Sequence, residues 1–447
     1  MSEQSPGRYY VAVIGGGPAG LFAARELAER GIHAVIFNRD IKPGGLAEYG
    51  IYPTKHRMKD GLRRQFNQIL ACDEITYFGN AMVGGQADLT LDDLRSMGFH
   101  ALLVTVGAQS PKRLGIPGED LLGVYHAKDI VYHYNLLPPF GQYAYQIGKH
   151  VAVIGVGNVM VDLAHWLIEE KMVERVIAVA RRGPLEVKFD RKELEDVVSC
   201  LDMNRLQAEL QRVAPSIEAV GQDPFTLLRM VQAVASKTTI QQCNSCLCMR
   251  FLSTSVGITG DENGRVSGLQ VEENRLILTG EGEIRAVGTG VLHTLPVDTV
   301  IFAIGDIVDG SIGLPAEHGE YQVNPQPRFP VDGMSYEVYD MACNRPIPDV
   351  FLAGWARKPS VGLVGVARKD GVNAAHAVEK YLSTLAPTTE PVIERVRDTL
   401  RSMPKPMIDK LALQRLAELE QERARQLNVP SYKFATNQEM LQALDLI

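Results

Sequence analysis

A chain of 447 residues is too long for one ordinary hydrophobic core, and 45% hydrophobic with 22% charged residues is the make-up of a globular protein of two or three domains. A net charge of −7 argues against bulk nucleic-acid binding, and no apolar run reaches the roughly 18 residues of a membrane span. Six cysteines are too few for a disulfide scaffold of this size, and the polar opening residues lack the pattern of a secretory leader, so the expected setting is a reducing cytoplasm.

Residues 9–31 read YYVAVIGGGPAGLFAARELAERG: an apolar β run, a glycine turn, then a segment of helical period. Gly15, Gly17 and Gly20 match G-x-G-x-x-G with strand and helix in the right places. The first glycine permits the tight turn, the second lets the backbone approach a pyrophosphate, and the third lets helix and strand pack closely. Pro18 and Ala19 open the helix whose N-terminus would face phosphates. The next strand, 33–37, ends at Asn38 and Arg39, where an acidic residue commonly holds ribose hydroxyls; asparagine can still bond a ribose. A turn, Pro43-Gly44-Gly45-Leu46, follows and suits passage over a second phosphate.

Strand 101–108, ALLVTVGA, contains Gly107 and precedes the expected boundary, after which Pro111 and the turn at 116–118 mark a crossing. Residues 150–171 then repeat the opening pattern as HVAVIGVGNVMVDLAHWLIEEK, with Gly155, Gly157, Asn158 and Val159 in the turn and Met160 at the third small position. One strand later VIAVARRG ends in Arg181 and Arg182. Arginine there grips a 2′-phosphate, whereas an NAD-selective site favours an acid, so NADPH is expected over NADH. Two solvated arginines at a strand end is the plainer alternative.

Cys243, Cys246 and Cys248 form C-x₂-C-x-C in QQCNSCLCMRF. Three close thiols suit a metal or redox role, but no fourth ligand is evident nearby, and a strand with buried thiols is the favoured reading, with no metal. The absence of a C-x₄-C or C-x₂-C beside either glycine turn argues against a thioredoxin-reductase type of dithiol enzyme. A strand at 350–353 leads to another glycine-rich turn and back to the first domain. The charged, periodic tail from about residue 390 reads as a surface helix.

These segments together resemble the adrenodoxin reductase group of ferredoxin–NADP reductases, of the glutathione-reductase structural class. GGGPAG and PGGL look like its FAD segments, and GVGNVMVD resembles its G-x-G-N-V-x-x-D motif. RRGPLEVKFDRKEL resembles its R-R-G-P run, AKDIVYHYN at 127–135 the segment before its NADP domain, and GWARKPSVGLVGVARKD at 354–370 its flavin cover. VPSYKF and EMLQAL are similar to its C-terminal helices. The resemblance implies an α/β protein with two Rossmann-like domains. An FAD-binding domain would be discontinuous, 1–107 and 331–447 with a C-terminal helical tail, around an NADP-binding domain at 108–330. It further implies Gly354, Trp355, Gly362, Leu363 and Val364 at the isoalloxazine, and Glu193 near the nicotinamide.

The family's histidine after the PGGL turn pairs with the aspartate of its NADP motif. Here YGIYPTKHRMK at 49–59 puts Lys55 at that position and His56 one residue later, so a His56–Asp162 relay is one alternative and a surface His56 the other. The glutamate synthase small subunit, a relative, carries a lysine in this region. The expected activity is electron exchange between NADP(H) and a ferredoxin-like carrier through FAD. A basic docking face is expected from Arg57, Lys59, Arg63 and Arg64 and from Arg357, Lys358, Arg368 and Lys369. An electron-input subunit of a larger redox complex and a non-catalytic flavin scaffold are the competing readings.

Overall fold

A computed structural model describes residues 7–238 and 243–447, which divide into two compact units. Unit 1 comprises Met1–Pro111, Tyr132–Gln142 and Gly305–Ile447, and unit 2 comprises Lys112–Val131 and Tyr143–Ile304.

In unit 1, β1 (Tyr10–Ile14), β2 (His33–Asn38), β3 (Ile75–Gly79) and β4 (Ala101–Val104) form a parallel sheet, with β1 between β2 and β4. These strands are continuous apolar runs because helices cover both faces. Val11, Val13, Ala34, Ile36 and Leu103 pack one side, while Ala12, Ile14, Val35, Phe37 and Leu102 pack the other.

In unit 2, β5 (Val124–His126), β6 (His150–Ile154), β7 (Arg175–Val179), β8 (Cys246–Arg250) and β12 (Thr299–Phe302) form a second parallel sheet in the order β5-β12-β6-β7-β8. Between them in sequence, β9 (Ser253–Gly260), β10 (Val266–Leu278) and β11 (Ile284–Leu295) make a separate antiparallel sheet. The chain then returns to unit 1. There β14 (Arg345–Leu352) pairs parallel with β4, and β13 (Glu337–Asp340) closes the edge antiparallel.

Residues 305–330, which the sequence reading assigned to the nucleotide unit, lie in unit 1. Val308, Ile312, Leu314 and Tyr321 are buried in its core, and Asp306–Ile307 pairs with Ser110–Pro111. Hydrophobic burial and this small ladder set the boundary, and neither has a turn signal. The tail is more integrated than a surface helix: Leu416, Met440 and Leu441 enclose Ile41 and Ile408 in a satellite core.

Helix α1 (Pro18–Ala28) and the long helix Val364–Leu382 meet through missing side chains. A Cβ on Gly371 would stand 2.2 Å from the carbonyl oxygen of Ala19, and one on Gly354 would stand 2.7 Å from the Ala19 Cβ. The Gly371→Ala protein is expected to lose about 1–3 kcal/mol of unfolding free energy in a urea titration, since backbone must move to admit the methyl. An unchanged midpoint would show that the two helices separate freely.

Candidate functional site

The first glycine turn is built to leave one face bare. Gly15 adopts φ 111°, and a Cβ there would stand 2.7 Å from the Thr105 carbonyl oxygen. Gly20 would drive a Cβ to 2.1 Å from the Gly15 carbonyl oxygen. Gly17, in extended conformation at the N-cap of α1, has nothing within 4 Å of the same position. A cradle that a side chain would fill is thus left open before a helix N-terminus, and a pyrophosphate fits both the space and the field.

Asn38 holds this turn rather than reaching outward for a ribose, as the sequence suggested. It is 7% exposed. Its Oδ1 accepts the Gly16 N–H at 2.8 Å, and its Nδ2 donates to the carbonyls of Asp40 and Lys42 at 2.8 and 2.9 Å. A carboxylate here would have no protons for those two carbonyls, which accounts physically for asparagine in place of the usual acid. Arg39 is exposed and bonds Asp40 and Gln109. Gly107, at φ 74°, turns the chain just beyond β4.

The second turn docks on the first. The Gly44 N–H donates to the Gly16 carbonyl at 2.7 Å, and Gly45, at φ 49°, would bring a Cβ to 3.1 Å from Gly17 Cα. Leu46 begins the helical turn Leu46–Tyr49, in which Glu48 is buried. Arg63 grips Glu48 with two bonds of 2.7 Å, and Lys433 from the tail adds a third at 2.6 Å. Burial raises the Glu48 carboxyl's pKa, but the bonds from Arg63 and Lys433 outweigh it and hold the value at about 2. Lys59, also buried, bonds Asn135 Oδ1 at 2.7 Å, and burial lowers its pKa to about 7. Lys55 occupies the N-cap of the helix His56–Leu70, and His56 is exposed at its first position.

Behind the third turn lies a charged knot that sequence reasoning missed. Asp370 accepts the Gly354 N–H at 2.7 Å, and its carboxylate also receives Arg357 through Nε at 3.1 Å and through Nη2. Arg357 stacks over the Tyr336 ring at 4.5 Å. The Trp355 indole N–H reaches the carbonyls of Val361 and Gly362 at 3.1 and 3.3 Å, closing a loop that delivers Gly362, Leu363 and Val364 to the start of the long helix. A lone carboxylate ending an otherwise apolar and basic run was the available signal.

In unit 2 the turn repeats with different fastenings. Gly155, at φ 126°, would bring a Cβ to 2.3 Å from the Ala303 carbonyl oxygen, while Gly157 faces open space. Asn158 exchanges bonds with Asp190, accepting its N–H at 2.8 Å and donating to its carboxylate at 3.1 Å. Val159 is exposed, Met160 is fully buried, and Asp162 lies half-buried on the same helix. The Lys188 N–H donates to the Val156 carbonyl at 2.9 Å, so the segment leading to Glu193 is pinned on this turn. Arg181 and Arg182 leave the end of β7 with exposed side chains, their carbonyls held by Asn274 and by the Leu252 N–H.

Of the eight basic residues expected on a docking face, three serve the interior: Lys59 at Asn135, Arg63 at Glu48 and Arg357 at Asp370. Arg57, Arg64, Lys358, Arg368 and Lys369 are exposed. The cysteines are not all reduced either, for Cys200 and Cys243 are joined in a disulfide.

Two consequences can be measured. Glu48 has a folded pKa below its unfolded value of 4.5, so its contribution is complete above that pH and is lost as pH falls toward 2. At most about 3 kcal/mol of stability disappears over that window, and Glu48→Gln should flatten the acid limb of stability against pH. Asp370→Asn leaves a buried guanidinium without its counter-charge and should cost about 3–5 kcal/mol in denaturant titration; a loss below 1 kcal/mol would show that Arg357 re-solvates.

Comparison with known proteins places the chain in a family. The chain is 27% identical over 396 residues to a mitochondrial NADPH:adrenodoxin oxidoreductase of Arabidopsis thaliana, covering 81% of this chain and 80% of that one. It is 26% identical over 405 residues to the NADPH-ferredoxin reductase FprA of Mycobacterium tuberculosis, covering 84% of each. The structure of FprA in complex with NADPH shares the fold with a TM-score of 0.80 at 24% identity, over 98% of this chain and 99% of that one. The sequence profile for pyridine nucleotide-disulphide oxidoreductases matches residues 9–371, and the chain belongs to that family.

Proposed function

We propose that this protein is an FAD-dependent NADPH oxidoreductase that exchanges electrons with a small one-electron carrier of the ferredoxin type. One observation carries the reading: two open glycine cradles in one chain, the second followed one strand later by exposed Arg181 and Arg182. FAD fits unit 1, where Gly17, Pro18, Ala19 and the N-terminus of α1 meet its pyrophosphate, and Gly45 and Leu46 border it. Trp355, Gly362, Leu363 and Val364 shape the bed for its ring. NADPH fits unit 2, with its pyrophosphate at Gly157 and Asn158 and its 2′-phosphate at the paired arginines. When bound, FAD supplies the conversion of a hydride, accepted at N5, into single electrons.

The chain's own residues bind, orient and exclude water. Asn38 fixes the first turn, Asp370 fixes the loop of Trp355, and Lys188 and Asp190 fix the approach to Glu193. Lys55 or His56 would present a polar hydrogen toward the flavin of unit 1. For the carrier, the exposed Arg57, Arg64, Lys358, Arg368 and Lys369 suit an acidic protein surface. The described residues contain no helix long and apolar enough to cross a membrane. We place the reaction in the cytoplasm, a reading supported by four unpaired cysteines out of six.

Anaerobic mixing with NADPH should bleach the flavin band far faster than mixing with NADH. Arg181→Ala with Arg182→Ala should weaken NADPH about a hundredfold or more, at about 1.5–3 kcal/mol for each of the two lost charged bonds, and leave NADH unchanged. Equal responses to both nucleotides in the parent protein would sink the 2′-phosphate assignment, and no bleaching by either would sink the function.

A further inference from the structure

Four of the six cysteines lie at the edge of the unit 2 sheet, at a place that nucleotide binding does not use. Cys246 and Cys248 are alternate residues of β8, so their side chains leave the strand on the same side, and their sulfurs are 3.2 Å apart. Leu201 forms a parallel bridge with Leu247, and the Asp202 N–H donates to the Leu247 carbonyl at 3.0 Å. Leu201 and Leu247 are buried at 5% and 0% exposure. Cys246 and Cys248 leave the strand opposite Leu247, Cys200 ends the short helical turn Val198–Cys200 one residue before this bridge, and Cys243 is joined to Cys200. The disulfide thus brings to C-x₂-C-x-C a fourth cysteine, Cys200, which lies 43 residues before Cys243 and was invisible to a search for close spacing.

We propose that Cys200, Cys243, Cys246 and Cys248 form a four-thiolate site for a single tetrahedral, thiophilic divalent ion of the zinc class, opened when the Cys200–Cys243 bond is reduced. With that bond closed, no three side chains among the described residues converge as a metal cage. A dithiol reductant delivers two electrons and two protons to the two sulfurs and leaves as its cyclic disulfide. One divalent ion then replaces four thiol protons and takes four sulfurs. Zinc–sulfur bonds of about 2.3 Å in a tetrahedron set neighbouring sulfurs about 3.8 Å apart, so the Cys246–Cys248 pair opens by about half an ångström. An outer partner is already in place. The Cys246 thiol points at Asp202 Oδ2, 3.7 Å away, and Arg205 holds that carboxylate at 3.2 Å. Four thiolates from two separated segments are the donor set of a closed structural site, with no vacant position for substrate.

The test uses the full-length protein, reduced with dithiothreitol, freed of excess reductant and titrated anaerobically with Co²⁺. The expected result is one equivalent per chain, with thiolate-to-cobalt charge-transfer absorption and the visible bands of tetrahedral cobalt, both abolished by Zn²⁺. Replacing any one of the four by Ser should weaken binding by more than the roughly tenfold to hundredfold typical of an outer-shell loss. Cys72→Ser and Cys343→Ser should leave it unchanged. The unreduced protein should bind no cobalt until the disulfide is opened. Absence of the tetrahedral spectrum from the reduced parent protein overturns the proposal, whether or not a variant folds. So does undiminished affinity in folded Cys200→Ser, or acid-labile sulfide in the purified protein, which would mark a cluster rather than a single ion.

Discussion

The FAD-side site depends on how closely backbone can approach Ala19. Two glycines of the returning chain, Gly354 and Gly371, press against this one residue, and a third, Gly20, lets α1 settle onto the turn that feeds it. Each contact is closer than any side chain tolerates, so the long helix Val364–Leu382 is placed by the absence of atoms rather than by a specific attraction. Dispersion across such a seam is large in sum, and the price of any added methyl is correspondingly steep.

Polar groups then remove the remaining freedom. Asn38 spans two turns with one amide, and Asp370 ties a turn, a guanidinium and a tyrosine into one knot. Buried charge of this kind contributes little net stability when complete, and its loss is costly because the abandoned partner stays desolvated. The gain is geometric, since the loop carrying Trp355 has one arrangement that satisfies all of these groups. The same logic applies at Glu48, where two cations from distant segments meet one carboxylate.

What could be read from the chain was whatever is local and periodic. The strand–turn–helix units at 10–28 and 150–169 follow from apolar runs and glycine spacing, and both turns have the conformation such spacing demands. Long-range satisfaction could not be read. Asn38 appeared to be a weakened ribose ligand because its true partners are carbonyls, which leave no mark in sequence. Arg357, Lys59 and Arg63 appeared to be surface charge because composition does not reveal that Asp370, Asn135 and Glu48 await them. Cys200 could not be linked to the later cysteines because the bridge between its neighbour Leu201 and Leu247 leaves no mark in spacing.

The interrupted path of unit 1 has a consequence for biosynthesis. Its sheet lacks β13 and β14 until residue 352 has been made, and the turn at Glu48 lacks one of its cations until Lys433 has followed. Unit 2, spanning much of the middle of the chain, can complete its own sheet while these are still inside the ribosome. The nucleotide unit is therefore ready first, and the nascent N-terminal strands must wait with apolar faces uncovered. Cofactor loading into unit 1 becomes a late event, and that waiting interval is when chaperones would be needed.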